Sequence, residues 1–365
     1  MPDPVQFRAQ FPVLERLHYL NAGTEGPLSR RAADAVRERI ELETGSGRAG
    51  KPYFEGVMAL AQALREAYAR IMHCEPGSVA LTGSTTDGVN TVIGGLDWSP
   101  GDEVVTSDEE HPGLLGPLAR IASRFGVTVT VAPFAEVAAA VGPRTRLIAT
   151  SHVSWASGRI IDSAALRATG VPFLLDAAQG IGAVPVDVAE LGCRYYAASG
   201  QKWLSGPEGS GCLYVAADAL ETLSVPWPGY GSFADPGDAL HSAPAEGAKR
   251  FDLGFPPGMR SAWALASIAV LEDAGLDWVT GRAADLAAGL ADALAAHGLR
   301  VVPRDRSTLV SWHSDDADAD VARLAEAGFI VRSIPSHGYL RASVGAWCSE
   351  EELAELAELA ALAAA

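Results

Sequence analysis

The chain has 365 residues, 48% hydrophobic and 20% charged, enough apolar material for one large domain and a smaller one, each with its own core. A formal net charge of −17 argues against nucleic acid or an anionic membrane as the main partner, because both need a basic surface. The four cysteines, Cys74, Cys193, Cys212 and Cys348, are scattered and form no CxxC pair, so neither a disulfide framework nor a zinc site is indicated and no metal is expected.

In chain order, the stretch from Met1 to Gln6 lacks a basic region followed by an apolar run, and no uncharged apolar stretch is long enough to span a bilayer. A cytoplasmic protein with no membrane partner is expected. From about residue 79 to 215, short apolar strands alternate with helical stretches, the pattern of an α/β fold with a mostly parallel sheet and helices on both faces. Strands are expected at 79–81, 103–106, 127–131, 147–150, 173–175, 195–197 and 212–215. Such sheets place ligands beyond the C-terminal ends of their strands, where Ser84, Thr85, Thr86, His111, Ser151, His152, Asp176 and Lys202 fall. Residues 234–250 mix Pro, Gly, Ala and charge without apolar periodicity and read as an irregular segment near a domain boundary. Helices are then expected around 260–273 and 281–297, strands at 308–313 and 339–344, and a last helix from 350, where Leu353, Leu356, Leu359 and Leu362 recur at helical spacing.

Lys202 follows Asp176-Ala177-Ala178-Gln179 at the distance needed for a pyridoxal phosphate (PLP) site. An amine can hold the aldehyde as a Schiff base while an upstream carboxylate keeps the pyridine nitrogen protonated. Once substrate displaces it, the same amine can move the α-proton as a general base. Asp176 ends an apolar strand, where a buried carboxylate needs a cationic partner; the competing reading is a cap for the next helix. Ser84, Thr85 and Thr86 lie between a strand and a helix, so hydroxyls and free N–H groups there suit a phosphate, an N-cap, or both. His111 precedes Pro112 in a good helix-start arrangement. Arg341 is the candidate for an α-carboxylate, through two parallel hydrogen bonds, against the plainer reading of a surface ion pair. For the isolated aromatics Trp155, Trp203, Trp227 and Tyr230, core packing is the preferred reading.

Six stretches carry a resemblance in order: Tyr19-Leu20-Asn21-Ala22-Gly23, Gly83 to Gly88, Glu110-His111-Pro112-Gly113, Asp176 to Gln179, Ser199-Gly200-Gln201-Lys202-Trp203, and Leu340-Arg341-Ala342-Ser343. Through them the chain resembles the class V aminotransferase group of fold type I PLP enzymes. The resemblance implies a large PLP-binding domain over 16–248 with a seven-stranded sheet, a small α/β C-terminal domain over 249–365, and an N-terminal arm, 1–15, belonging to the small domain. It implies that His111 stacks on the cofactor ring, Gln179 bonds its phenolic oxygen, and Ser199 binds its phosphate beside Lys202. Position 201 usually carries histidine in this group, and Gln201 keeps the hydrogen bonding without the titration. Asn21 is expected either to touch substrate or to organise the turn before Gly23.

Cysteine desulfurases of this class carry a nucleophilic cysteine on a loop shortly before the arginine, whereas the run from Arg332 to Arg341 is short and has none. The form is most similar to the cyst(e)ine C–S lyase branch, which implies β-elimination on cystine, cysteine or a cysteine S-conjugate, a small amino-acid substrate. Transamination and epimerisation, including in secondary metabolism, remain the alternatives, because all share the first proton transfer; a binding protein without turnover is the reading of another class. The family also implies a homodimer in which a neighbour's hydroxyl reaches the phosphate; Phe255 stands where that hydroxyl is expected, and Gly229-Tyr230-Gly231-Ser232 offers another.

Overall fold

The computed structural model describes residues 2–364 apart from 253, 255, 256, 335 and 336, so Phe255 lies outside the described residues. The chain opens with α1 (Pro4–Arg8), a short β1 (His18–Tyr19), and two long helices, α2 (Arg30–Ser46) and α3 (Gly50–Ile71), both packed on α8 (Gly258–Ala274). The sequence reading placed no element over α2 and α3.

A seven-stranded sheet follows, from β2 (Val79–Thr82), β3 (Glu103–Ser107), β4 (Thr128–Ala132), β5 (Thr145–Ser151), β6 (Phe173–Asp176), β7 (Tyr195–Ser199) and β8 (Gly211–Val215), in the order β2-β8-β7-β6-β5-β3-β4. All neighbours are parallel except β8, which runs antiparallel to both β2 and β7. Each of the seven expected strands is present. Strands β6 and β7 are buried along their whole length, which explains their unbroken apolar runs: a central strand has no wet face to mark with polar residues.

The helices entering this sheet begin with strong local signals. In α4 (Thr85–Gly95) the Ser84 hydroxyl accepts from Asp87 N–H at 3.1 Å, and the Asp87 carboxylate accepts from Gly83 N–H at 3.0 Å. In α5 (Pro112–Phe125) the cap is His111, Pro112 occupies the first turn, and Gly126 closes the helix in the left-handed region. Two shorter helices, α6 (Ser163–Ala168) and α7 (Val188–Leu191), complete this layer.

Helix α9 (Leu276–Ala296) starts five residues earlier than expected, directly after Gly275, whose φ of 83° ends α8. Then come β9 (Leu309–His313), α10 (Ala317–Glu326), β10 (Phe329–Ile330), β11 (Arg332–Ile334), β12 (Tyr339–Ser343) and α11 (Glu350–Ala364). The small antiparallel sheet is ordered β11-β12-β9, and β10 pairs in parallel with β1, while Asn21 bridges to Ser343. The N-terminal segment thus joins this part of the fold. In α11, Leu353 and Leu356 are buried but Leu362 is 75% exposed. Spacing of three in a helix of about 3.6 residues per turn drifts around the axis, so a residue nine positions on faces the opposite side.

The core reading of the aromatics holds for Trp203 and fails for two others: Trp227 is 57% and Tyr230 65% exposed, on an irregular stretch outside the sheets and α-helices. No described helix is long and apolar enough to cross a membrane.

Candidate active site

A cavity of about 250 Å³ opens where β6 and β7 end and α4 begins. Ser84, Thr85, Thr86, His111, Asp176, Gln179, Ser199, Gln201, Lys202 and Arg341 all line it. Asn21 does not: its carbonyl takes the N–H groups of Thr24 and Glu25, so the chain turns there and presents Gly23, Thr24 and Glu25 to the cavity instead.

At the α4 end, the hydroxyls of Thr85 and Ser199 and the amide oxygen of Gln201 are buried without a hydrogen-bond partner. Orphaned polar atoms are rare in a folded interior, and three beside a helix N-terminus, with its unpaired N–H groups, fit a phosphate. Gln201 would meet it with its nitrogen, after rotation of the amide. Ser84 serves as the helix cap and still has its hydroxyl hydrogen to donate.

Asp176 is buried, and its Oδ1 accepts from Ala178 N–H at 3.0 Å. Burial holds its carboxyl above the usual range, against the pull of that N–H and of Lys202. A cationic ring nitrogen is the partner such a carboxylate lacks. Behind it His152, neutral and buried, donates its backbone N–H to the Asp176 carbonyl and shares a hydrogen bond of 3.0 Å with Tyr196 Oη. Burial pushes the Lys202 amine down to about 8, with Asp176 opposing and Arg341 and Arg332 assisting. Gln179 donates through Nε2 to the Gly23 carbonyl and accepts from Trp203 Nε1, both at 2.8 Å, which leaves one Nε2 hydrogen to spend.

His111 accepts from Gly113 N–H through Nδ1 at 3.0 Å, so its proton sits on Nε2. Burial, then Lys202, Arg332 and Arg341, pull it down to about 4, and the ring stays neutral. Its loop is anchored by Glu110, a buried carboxylate that accepts from the hydroxyls of Ser107, Thr150 and Ser151 and from Ser151 N–H. His111 meets the edge of Trp155 with ring centroids 5.1 Å apart.

Arg341 is fully buried, makes no ion pair with a described residue, and so is not the surface pair that the plainer reading allowed. Its Nη1 donates to the Trp155 carbonyl at 2.7 Å, while Nε and Nη2 have no partner. Those two atoms form one edge of the guanidinium, the edge that grips a carboxylate with two parallel bonds. Burial, and then Arg332, push its pKa down to about 9. Gly23 is close by necessity, because a Cβ there would sit 2.7 Å from Ser343 Oγ and 2.8 Å from Arg341 Nη2.

Sequence reasoning misses Thr24, Glu25 and Arg332 and prefers the core for Trp155, which lines the cavity instead. Arg332 lies directly opposite Arg341 in the β11–β12 register, donates to Thr24 Oγ1 at 3.2 Å and stands over the Trp155 ring at 5.7 Å. Like charges in that position repel unless an anion lies between or beside them. Two arginines flanking a Gly338 turn are the signal that would have found it. Ser232, the offered cross-subunit hydroxyl, is buried and accepts from Gly229 N–H in its own turn.

Isopenicillin N epimerase of Streptomyces clavuligerus is 33% identical over 261 residues, 66% of this chain and 62% of that enzyme, so the match spans less than two thirds of the relative. The cysteine desulfurase CsdA of Escherichia coli is 28% identical over 383 residues, 97% of this chain and 90% of that one. Two structures of C-DES superpose with TM-scores of 0.92 and 0.91 at 29% identity, covering 99% and 96% of this chain and 99% of each of theirs. The first holds glycine covalently linked to its PLP cofactor, and the second is the cystine C–S lyase with its product cysteine persulfide. The aminotransferase class-V family model matches residues 19–356, from the segment that turns into the cavity to the helix behind Arg341, and the chain belongs to that family of PLP-dependent enzymes.

Proposed function

We propose that this enzyme is a C–S lyase that acts by β-elimination on cystine, cysteine or another cysteine S-conjugate, giving pyruvate, ammonia and a thiol or persulfide. The observation that carries the reading is a cavity that holds two arginines on the β11–β12 hairpin and no thiol. All four cysteines lie outside its wall, and burial pushes each thiol up, so none is a ready nucleophile for taking up sulfur. The likeness to C-DES along nearly the whole chain supports the same reaction.

When bound, PLP supplies an electron sink for the pair left behind when the Cα–H bond breaks. Thr85, Thr86, Ser199, Gln201 and the first turn of α4 would hold its phosphate, Asp176 its ring nitrogen, Gln179 its phenolic oxygen, His111 its ring face and Lys202 its aldehyde carbon. The free edge of Arg341 binds the substrate α-carboxylate. With its amine near 8, Lys202 is neutral in part of the population at neutral pH and accepts the α-proton at Nζ. The Cβ–S bond then breaks with its electron pair on sulfur, and the three-carbon remainder hydrolyses to pyruvate and ammonia.

The same reading divides the chain into an arm at 1–15, a large domain at 16–248 and a small one at 249–365. It makes the protein a cytoplasmic homodimer, to which exposed Trp227 and Leu240 lend an apolar contact surface. Epimerisation is the second reading, favoured by the identity to isopenicillin N epimerase. The test is an absorbance spectrum of the purified enzyme with L-cystine, L-cysteine and a cysteine S-conjugate, with pyruvate assayed in the same cuvettes. Pyruvate release establishes the lyase; inversion of an amino acid's α-carbon without pyruvate moves the assignment to an epimerase.

A further inference from the structure

Glu25 has no part in the roles above, yet it faces the cavity beside Lys202. Residues 21–26 form a strap across the lysine loop: Gly26 N–H donates to the Gln201 carbonyl at 2.7 Å. A Cβ on Gly26 would lie 2.2 Å from the Lys202 carbonyl oxygen, so only glycine lets the two backbones approach this closely. On the other side, Tyr19 Oη donates to the Glu25 carbonyl at 3.0 Å. The backbone of Glu25 is therefore held from both directions, while among the described contacts its carboxyl accepts no hydrogen bond. A half-buried carboxyl on the wall of the same cavity as the amine, beyond ion-pair distance and without a hydrogen bond of its own, is left free to turn toward it.

We propose that Glu25 is the proton-transfer partner of Lys202, taking the α-proton from the lysine ammonium and delivering it to the departing sulfur. Only the last acceptor rests on the lyase reading. In the first step the Cα–H bond breaks and the proton goes to Lys202 Nζ. The ammonium then swings across the cavity to the Glu25 carboxylate and passes it the proton, and the Glu25 carboxyl protonates sulfur as the Cβ–S bond breaks with its electron pair on that atom. Both side chains return to their starting states.

The charged groups around Glu25 suit the task. Lys202 and Glu208 face it from the lysine loop, Tyr19 from its own segment, and Arg332 reaches its neighbour Thr24. Burial, and then Glu208, raise the carboxyl to about 7, with Lys202 pulling it down. The amine lies at about 8, and groups so closely matched exchange a proton at little free-energy cost.

Glu25→Gln keeps the shape and removes the proton. Its negative charge helps hold the Lys202 ammonium, so in the variant apoenzyme the half-point for PLP capture, followed by absorbance, should move to lower pH, and capture at pH 7 should quicken about two- to five-fold. Turnover at the same pH should fall roughly 10²-fold. Opposite movement of the two rates is a result that a structural role does not give. Slowing of both together with a lower Tm overturns the proposal, as does no change in either. A higher KM with kcat intact makes Glu25 a substrate-binding group and overturns it too. The α-hydrogen exchange of a bound amino acid in D2O separates the two readings. Exchange without sulfur release by the unaltered enzyme sinks the lyase, whereas exchange as fast in Glu25→Gln sinks the role of Glu25.

Discussion

Asp176 and Ser199 stand at the ends of adjacent strands of one sheet, with Lys202 and Thr85 one turn beyond, whereas Gly23, Trp155 and Arg341 come from three segments far apart in the chain. The first wall is set by hydrogen-bonded register, and its unpaired groups are hydroxyls and an amide. The second is set by loops and a hairpin, and its unpaired groups include a buried guanidinium edge, Trp155 Nε1 and Ser343 Oγ. A cofactor held through every turnover suits the wall built on one sheet, and a substrate gripped by its carboxylate suits the one that carries the free guanidinium edge.

Breaking the strand-borne wall should have the largest effect. Lys202→Ala is expected to lower turnover by roughly 10³-fold or more and to remove the visible band of the bound cofactor; a surviving band would place the aldehyde on another amine. Asp176→Asn, equal in size, should lower turnover roughly 10²-fold with the fold intact by circular dichroism, since an amide cannot balance a cationic ring nitrogen. On the loop-borne wall, Arg341→Lys should raise KM roughly 10- to 100-fold and change kcat little, because the paired hydrogen bonds are worth about 1.5–3 kcal/mol; a fall in kcat alone would remove Arg341 from substrate binding.

A stability measurement sharpens the contrast from beneath the strand-borne wall. Burial lowers His152 from 6.5 to about 4, so between those values the folded protein binds fewer protons than the unfolded one. Its contribution is intact above 6.5 and is lost as pH falls toward 4, by roughly 3 kcal/mol at about 1.4 kcal/mol per pKa unit. Denaturant titrations at about pH 7 and 5 should show a smaller acid loss in His152→Asn than in the parent. The smallest effect belongs to Cys348→Ala, which should leave sulfur release within about two-fold and stability within about 1 kcal/mol. A large loss of activity there would restore a persulfide-carrying cysteine.

Much of the strand-borne wall was legible before the structure. The strands that carry it are buried apolar runs broken by Gly, Pro and Asp, and the interval from Asp176 to Lys202 spans the short helix α7, strand β7 and their turns. Thr85 and Ser84 follow from helix-start chemistry, with cap and phosphate readings both surviving. The loop wall was legible only at Arg341. Arg332 was invisible because its importance lies in facing Arg341 across a hairpin, and register is a relation between strands. Glu25 was passed over and Asn21 preferred, since nothing local says which residue of a turn looks inward. Trp227 and Tyr230 were assigned to the core on residue type, and the irregular stretch that carries them runs over the surface.

Residue types in sequence order determined the chemistry by themselves: an amine, a carboxylate at the end of a buried strand, hydroxyls at a helix start and a late arginine define a PLP site, because each group's role follows from its own charge and hydrogen-bonding capacity. The tertiary structure alone decided which charges share the cavity, how the Arg341 edge is left free, and that Glu25 faces the same cavity as Lys202. Those relations arise from strand register and the close crossing at Gly26, and neither has a period or a spacing that a linear reading could detect.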